Sequence, residues 1–308
     1  MTNIIITMVK IVFAIVIGYF LYKIHILNDN TNSVLSKLII YGCGPCMIFA
    51  SVVQLDSDNK DEIITLIIAG FVLYILLAVL VYLFTKMLHP GKELEGVYQV
   101  VLMIGNAAFL AFPIGEALMG DVGVSYLAIL NVHSNLFAFS YGIFLLTRKN
   151  ENGKFSFSFK KLLNPGIIGA IVAIILFFIG VTIPEVILEP IEFVGDMTSP
   201  LAMIVMGSTI ATYSLKELFN NWRYYILALL KLIIIPIIIL FIAKAVWGDS
   251  NLTYVFVLHV CMPTATIVSM IALANNADYK TASSVTGLMN ILCIVTIPLM
   301  WLFANAVV

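Results

Sequence analysis

Two apolar stretches carry the residues best suited to chemistry. GVYQVVLMIGNAAFLAFPIGEALMG, from Gly96 to Gly120, holds Gly105, Asn106 and Pro113 near its centre. LTYVFVLHVCMPTATIVSMIALANN, from Leu252 to Asn276, holds His259, Pro263, Thr264 and Thr266. Asn106 offers an amide at a depth where a spanning helix would want hydrocarbon. Proline lacks an N–H and crowds the carbonyl four residues before it, so Pro113 and Pro263 predict a break in each helix. Freed backbone groups at membrane depth are tolerated only where they face protein or line a cavity. A half-helix N-terminus beyond each break carries unpaired N–H groups and roughly half a positive charge. The expected chemistry is therefore the binding of a small anion. Asn106, Thr264, Thr266 and those amides would bind it, with Pro113 and Pro263 shaping the site.

Other polar residues lie in apolar surroundings. Asn131 and Asn135 are four apart and share a helix face, which suits a substrate contact or an interhelical bond. His133 points away from that face, and Asn290 occupies the corresponding place late in the chain. Glu116, three residues past Pro113, reads as a cap for that helix start or as a carrier of a coupling proton. His133 and His259 could carry a proton or serve as satisfied structural groups. Lys231 lies deep in its stretch, where it could attract an anion, pair with a carboxylate or snorkel. Cys43-Gly44-Pro45-Cys46 has the form of a thiol–disulfide motif, but it stands in mid-span without a βαβ context, so redox catalysis is a remote reading.

The elements that position these residues follow from composition. The chain has 308 residues, 62% of them hydrophobic and only 11% charged. Soluble domains carry roughly 25% charged residues, so this is a membrane protein. A net charge of −1 leaves no footprint for nucleic acid. No Gly-rich phosphate loop and no metal-ligand cluster are present, so neither a cofactor nor a metal is expected. The first apolar stretch reads as a span and not as a cleaved signal. At roughly 20 apolar residues per crossing, ten spans are expected near 3–22, 33–53, 62–87, 96–119, 122–146, 162–181, 188–213, 221–247, 252–274 and 279–305.

The two halves repeat. Gly105–Pro113 corresponds to Cys261–Ser269, Asp121 to Asp278 and Pro45 to Pro200, at nearly constant separation. Five spans per half make the second copy inverted. The expected organisation is a first five-helix repeat at 1–147, a cytoplasmic linker at 148–161 and a second repeat at 162–308. Lys and Arg cluster in the loops after odd-numbered spans, while Lys60 and Lys244 alone stand on the other side. That bias predicts cytoplasmic odd loops and both termini outside.

GNAAFLAFPIGEALMGD, PLAMIVMGSTI and MPTATIVSMIALANNAD through IVTIPL resemble the auxin efflux carrier family over the whole chain. The resemblance implies an all-α membrane fold like that of sodium–proton antiporters and bile acid transporters. Helices four and nine would be broken and cross at the site. Spans one, two, six and seven would form a scaffold and homodimer contact, and spans three to five and eight to ten a mobile unit. It also implies that Asn106 matches the family asparagine seven residues before the crossing proline. The long hydrophilic loop of plant exporters is replaced here by about fourteen residues. The expected function is secondary or facilitative transport of a small organic anion across the cell membrane, without enzyme activity. The alternatives are a cation-coupled carrier of the same fold, a thiol–disulfide oxidoreductase using Cys43 and Cys46, and a non-transporting sensor. The partners expected are the anion, the bilayer and a second copy of the chain.

Overall fold

The computed structural model describes residues 2–55, 60–147, 165–213, 218 and 221–308. The expected linker 148–161 lies outside the described residues. Among the described residues every named element is a helix and none is a strand. In order they are α1 (Thr2–Lys23), α2 (Asp29–Leu38), α3 (Gly44–Val53), α4 (Lys60–Leu88), α5 (Lys92–Met103), α6 (Phe112–Phe137), α7 (Ile143–Thr147), α8 (Pro165–Ile179), α9 (Glu185–Gly195), α10 (Thr198–Thr212), α11 (Trp222–Leu229), α12 (Ile235–Trp247), α13 (Asn251–Val260), α14 (Thr266–Ala274) and α15 (Tyr279–Val307). All ten apolar stretches carry helix. Among the described residues six helical runs are long and apolar enough to cross a membrane. They are Asp29–Val53, Lys60–Leu88, Phe109–Thr147, Glu185–Thr212, Trp222–Trp247 and Tyr279–Val307. One face of α4 fits such a crossing. Ile64, Ile68, Val72, Ile75, Val79 and Leu83 recur at helical spacing and are all exposed. A stripe of that length suits lipid and would be costly in water.

Three prolines of these helices follow a π turn. Among the described residues five-residue π turns occupy Ile39–Cys43, Ala107–Ala111, Ala138–Gly142 and Leu230–Ile234. The first, second and fourth end two residues before a proline, at Pro45, Pro113 and Pro236, and Ala138–Gly142 has no proline after it. A wider turn moves the preceding carbonyls away from the proline ring, so the chain stays helical where a plain α-helix would clash. Pro113 therefore does not make the break expected of it. The interruption lies earlier, at residues 104–106, where Ile104 is extended (φ −93°, ψ 115°). A second change of direction falls at Gly120 (φ 63°, ψ −151°), which divides α6.

The chain forms two compact units. The first gathers the described residues of Met1–Leu66, Ala107–Ile129 and Leu163–Thr212. Spans one, two, six and seven fall together in it. The stretch Ala107–Ile129, implied by the resemblance to be mobile, also groups there. Within this unit α1 packs along α10, and α3 packs on α8 and α9. The α1–α10 contact is backbone on backbone. A Cβ added at Gly18 would lie 2.0 Å from the Ile204 carbonyl oxygen, and one at Gly207 1.8 Å from that of Ile15. Small residues that admit such an approach are the usual means of packing helices where lipid removes the hydrophobic drive. Polar ties complete the unit. Ser51 Oγ donates to Asp121 at 3.1 Å, Gln54 Nε2 to Glu192 at 2.6 Å, and Ser208 Oγ to Asn32 Oδ1 at 2.7 Å.

The second unit gathers the described residues of Ile67–Asn106, Leu130–Leu162 and Tyr213–Val308. Within it α15 packs against α5, α11, α13 and α14, while α12 lies along α13 and α7 along α5. Most residues with expected chemistry belong to this unit. Pro113 and Glu116 belong to the first.

Candidate functional site

The site is built where two helices of the second unit stop short. α5 ends at Met103 and α13 at Val260, and the extended residues that follow pair with each other. Gly105 and Thr264 form an antiparallel bridge. The Asn106 N–H donates to the Pro263 carbonyl at 2.8 Å, and the Ala265 N–H to the Ile104 carbonyl at 3.2 Å. Glycine at 105 leaves room for the approach, since a Cβ there would sit 3.3 Å from both the His259 carbonyl oxygen and Met262 Cβ. The bridge satisfies backbone groups that hydrocarbon could not.

The carbonyls at the end of α5 have identifiable partners. Val100 accepts from the Ile104 N–H at 3.0 Å. Val101 accepts from the Thr264 hydroxyl at 2.6 Å. Met103 accepts from Lys231 Nζ at 3.4 Å. Thr264 is fully buried and its hydroxyl also lies 3.1 Å from Met289 Sδ. Its side chain thus fastens one break to the other.

Two groups at this crossing are open. Asn106 is 6% exposed, its backbone N–H is spent on Pro263, and its side-chain amide has no partner among the described residues. α14 starts at Thr266 behind Ala265, with no side-chain cap. Thr266 is half-buried, and its backbone N–H and that of Ile267 are among the first amides of an uncapped helix, where an anion is favoured.

Around these stand the remaining candidates. Lys231 is 1% exposed and lies in the π turn Leu230–Ile234, so it does not snorkel. His259 is 3% exposed. Its Nε2 is 2.9 Å from the Tyr74 hydroxyl and its Nδ1 has no partner. Tyr74 is also hydrogen-bonded with Ser134 and stacks on Phe137, with centroids 4.9 Å apart. His133 Nε2 lies 2.9 Å from the Ile67 carbonyl oxygen, and its ring meets Phe71 edge-on. Asn135 Nδ2 donates to the Asn131 carbonyl at 2.9 Å and to Asn131 Oδ1 at 3.1 Å. The shared face expected of that pair is present, but the pair is closed on itself. Asn290 is buried, bonded with Tyr213 and left with an unpartnered Oδ1.

Two expectations change. Pro113 lies at the start of α6 in the first unit and not at the break. Glu116 does not cap its own helix; it accepts a hydrogen bond from the Ser199 hydroxyl. The repeat partners Asp121 and Asp278 differ in role: Asp121 accepts from Ser51, whereas Asp278 caps α15, accepting from the Thr281 N–H at 3.0 Å. Sequence reasoning missed Tyr74 and the carbonyls of Val101 and Met103. A tyrosine in the middle of an apolar span was the available signal for the first.

Residues 3–301 match the family described as Membrane transport protein. The chain belongs to this family, that of the auxin efflux carriers. As a member of the auxin efflux carrier family it is a multi-pass membrane transporter. It is 23% identical over 275 residues to an uncharacterised transporter of Methanocaldococcus jannaschii, covering 88% of this chain and 89% of that protein. A transporter of Methanothermobacter thermautotrophicus, also uncharacterised, is 23% identical over 297 residues, 95% of this chain and 96% of its own. The uncharacterised transporter YfdV of Escherichia coli K12 is 23% identical over 320 residues, 98% of this chain and 97% of its own.

Family membership assigns no redox task to Cys43 and Cys46. Both are free thiols, as are Cys261 and Cys293. Replacing Cys43 and Cys46 together by Ser is expected to leave transport in proteoliposomes within about twofold of wild type. Loss of transport with the fold intact would give the pair a part in the cycle.

Proposed function

We propose that this auxin efflux carrier family member is a secondary carrier of small organic anions, working by alternating access. The observation that carries the reading is the open Asn106 amide beside the uncapped start of α14, at a crossing held by backbone bonds. On this reading a carboxylate takes the first amides of α14 and the Thr266 hydroxyl, while Asn106 donates from its side chain. Pro263 and Thr264 fix the crossing, and Asn131, Asn135 and Asn290 line the approach to it. Ten crossings in two inverted five-helix repeats fit the positions of the helices and the paired breaks. The Lys and Arg distribution favours both termini outside the cell membrane. A homodimer follows from the family resemblance.

The distribution of acids favours an anion over a cation as cargo. The described carboxylates of the second unit are Glu93, Glu95, Asp249 and Asp278, all at or beside helix starts. A cation carrier of this fold would want one at the depth of the crossing.

Counterflow tests the reading. Proteoliposomes loaded with unlabelled malonate, acetate or indole-3-acetate should take up the matching labelled acid faster than protein-free vesicles. Failure of a broad set of carboxylates to exchange, with correctly folded protein in the membrane, would refute it.

A further inference from the structure

Lys231 carries a fully buried amine with a single long hydrogen bond. Three lysines reach a carbonyl near the C-terminal end of another helix. Lys23 Nζ donates to Ala211 at 3.3 Å and Lys244 Nζ to Val307 at 2.6 Å. Lys23 is exposed and Lys244 half-buried, so water can serve their other hydrogens. Lys231 makes the same kind of contact, to Met103 at the end of α5, but at 3.4 Å and with 1% of its surface exposed. An ammonium has three donors, and the other two have no partner among the described residues.

The surroundings supply no counter-charge. α5 and α15 pack against the turn that carries Lys231. Between Val97 and Met103 the one ionisable side chain of α5 is Tyr98, and between Gly287 and Ala304 that of α15 is Cys293. Cys261 in the break and His259 at the end of α13 are the ionisable neighbours of the ammonium, with His133 and Tyr74 beyond His259. None is an acid that would be ionised at neutral pH. A buried charge without a partner costs several kcal/mol, and a site in that position sheds the charge by releasing its proton.

We propose that Lys231 holds its proton only while the carried carboxylate is bound, so that one proton accompanies each anion through the transport cycle. The inference rests on the crossing being the anion site. Its physical basis is linkage. A bound carboxylate stabilises the charged amine, so anion binding takes up a proton, and protonation strengthens anion binding by the same factor. The empty carrier returns with a neutral lysine, and the loaded one with a neutral pair. His259, whose buried Nδ1 has no partner, stands beside Lys231 as the group through which the proton would come and go.

The test uses the full chain in proteoliposomes with the voltage clamped at zero and passive acid entry subtracted with protein-free vesicles. Labelled malonate, acetate and indole-3-acetate are the probes. An acid-outside gradient of one pH unit should speed carrier-dependent entry of a carried acid in wild type, with about tenfold accumulation where the acid does not cross lipid unaided, as with malonate. The guanidinium of Lys231→Arg cannot release its proton, so the ratio of gradient-driven accumulation to counterflow should fall to that without a gradient, whatever the absolute rate. Purified wild type in weak buffer should take up about one proton per anion bound, a readout that needs no variant. Counterflow that ignores the pH gradient, or a Lys231→Arg ratio equal to wild type, would overturn the proton coupling while leaving the anion carrier intact. Absence of all carboxylate counterflow would remove both.

Discussion

Asn106→Ala is expected to reduce carboxylate counterflow about tenfold to hundredfold while the protein keeps its melting temperature in detergent. The side chain is 6% exposed and makes no hydrogen bond among the described residues, so the fold has little to lose from its removal. The backbone bond from Asn106 to Pro263 survives in alanine. What disappears is the side-chain amide that would donate to a bound anion beside the backbone amides of α14. A hydrogen bond to a charged group is worth about 1.5–3 kcal/mol, and about 1.4 kcal/mol is a factor of ten. Asn106→Gln should fall between, since its longer side chain keeps the group but displaces it. Wild-type counterflow in the alanine variant would take Asn106 out of the site. A large drop in melting temperature would instead make it a structural plug.

Gly207→Leu should have the largest effect on folding. A Cβ at that position would lie 1.8 Å from the Ile15 carbonyl oxygen and 2.9 Å from the Tyr19 nitrogen. The obstruction is backbone, so no rotamer change relieves it, and α1 and α10 must separate. Overpacking of a tight contact costs about 3 kcal/mol or more in such cases. The variant should yield little monodisperse protein or melt well below wild type. Melting within about 2 °C of wild type would mean that α1 and α10 can part without consequence.

The sequence made some of this legible and hid the rest for physical reasons. Hydropathy located apolar stretches that all carry helix, because an apolar run of that length has few other uses, and among the described residues six helical runs are long enough to cross a membrane. The break near Asn106 was expected, but for the wrong residue. A proline disrupts a plain α-helix, and the π turn at Ala107–Ala111 removes that conflict, so Gly105 and its neighbours carry the interruption instead. No local rule announces a π turn. The same device appears before Pro45 and Pro236, and it is visible only once the turns are seen together. Pro263 did mark its own break, between the end of α13 at Val260 and the start of α14 at Thr266.

The candidate site shows a similar division. Lys231 stood out because a charge deep in an apolar run has nowhere to hide. Its partner did not, because Met103 is 128 residues away. Thr264 was expected to offer its hydroxyl outward. Its donation to Val101, 163 residues distant, could not be read from spacing, and it turns a contact residue into a fastener. The spacing of Asn131 and Asn135 puts them on one face, yet spacing alone does not say that they bond to each other.

An anion site at the crossing of the two interrupted segments is measurable as equilibrium binding of labelled malonate, acetate and indole-3-acetate to the purified protein. At least one of them should bind wild type saturably, and that binding should be lost in Asn106→Ala. Binding that survives undiminished in the variant, or none by any of the acids to folded wild-type protein, would place the site elsewhere or remove it.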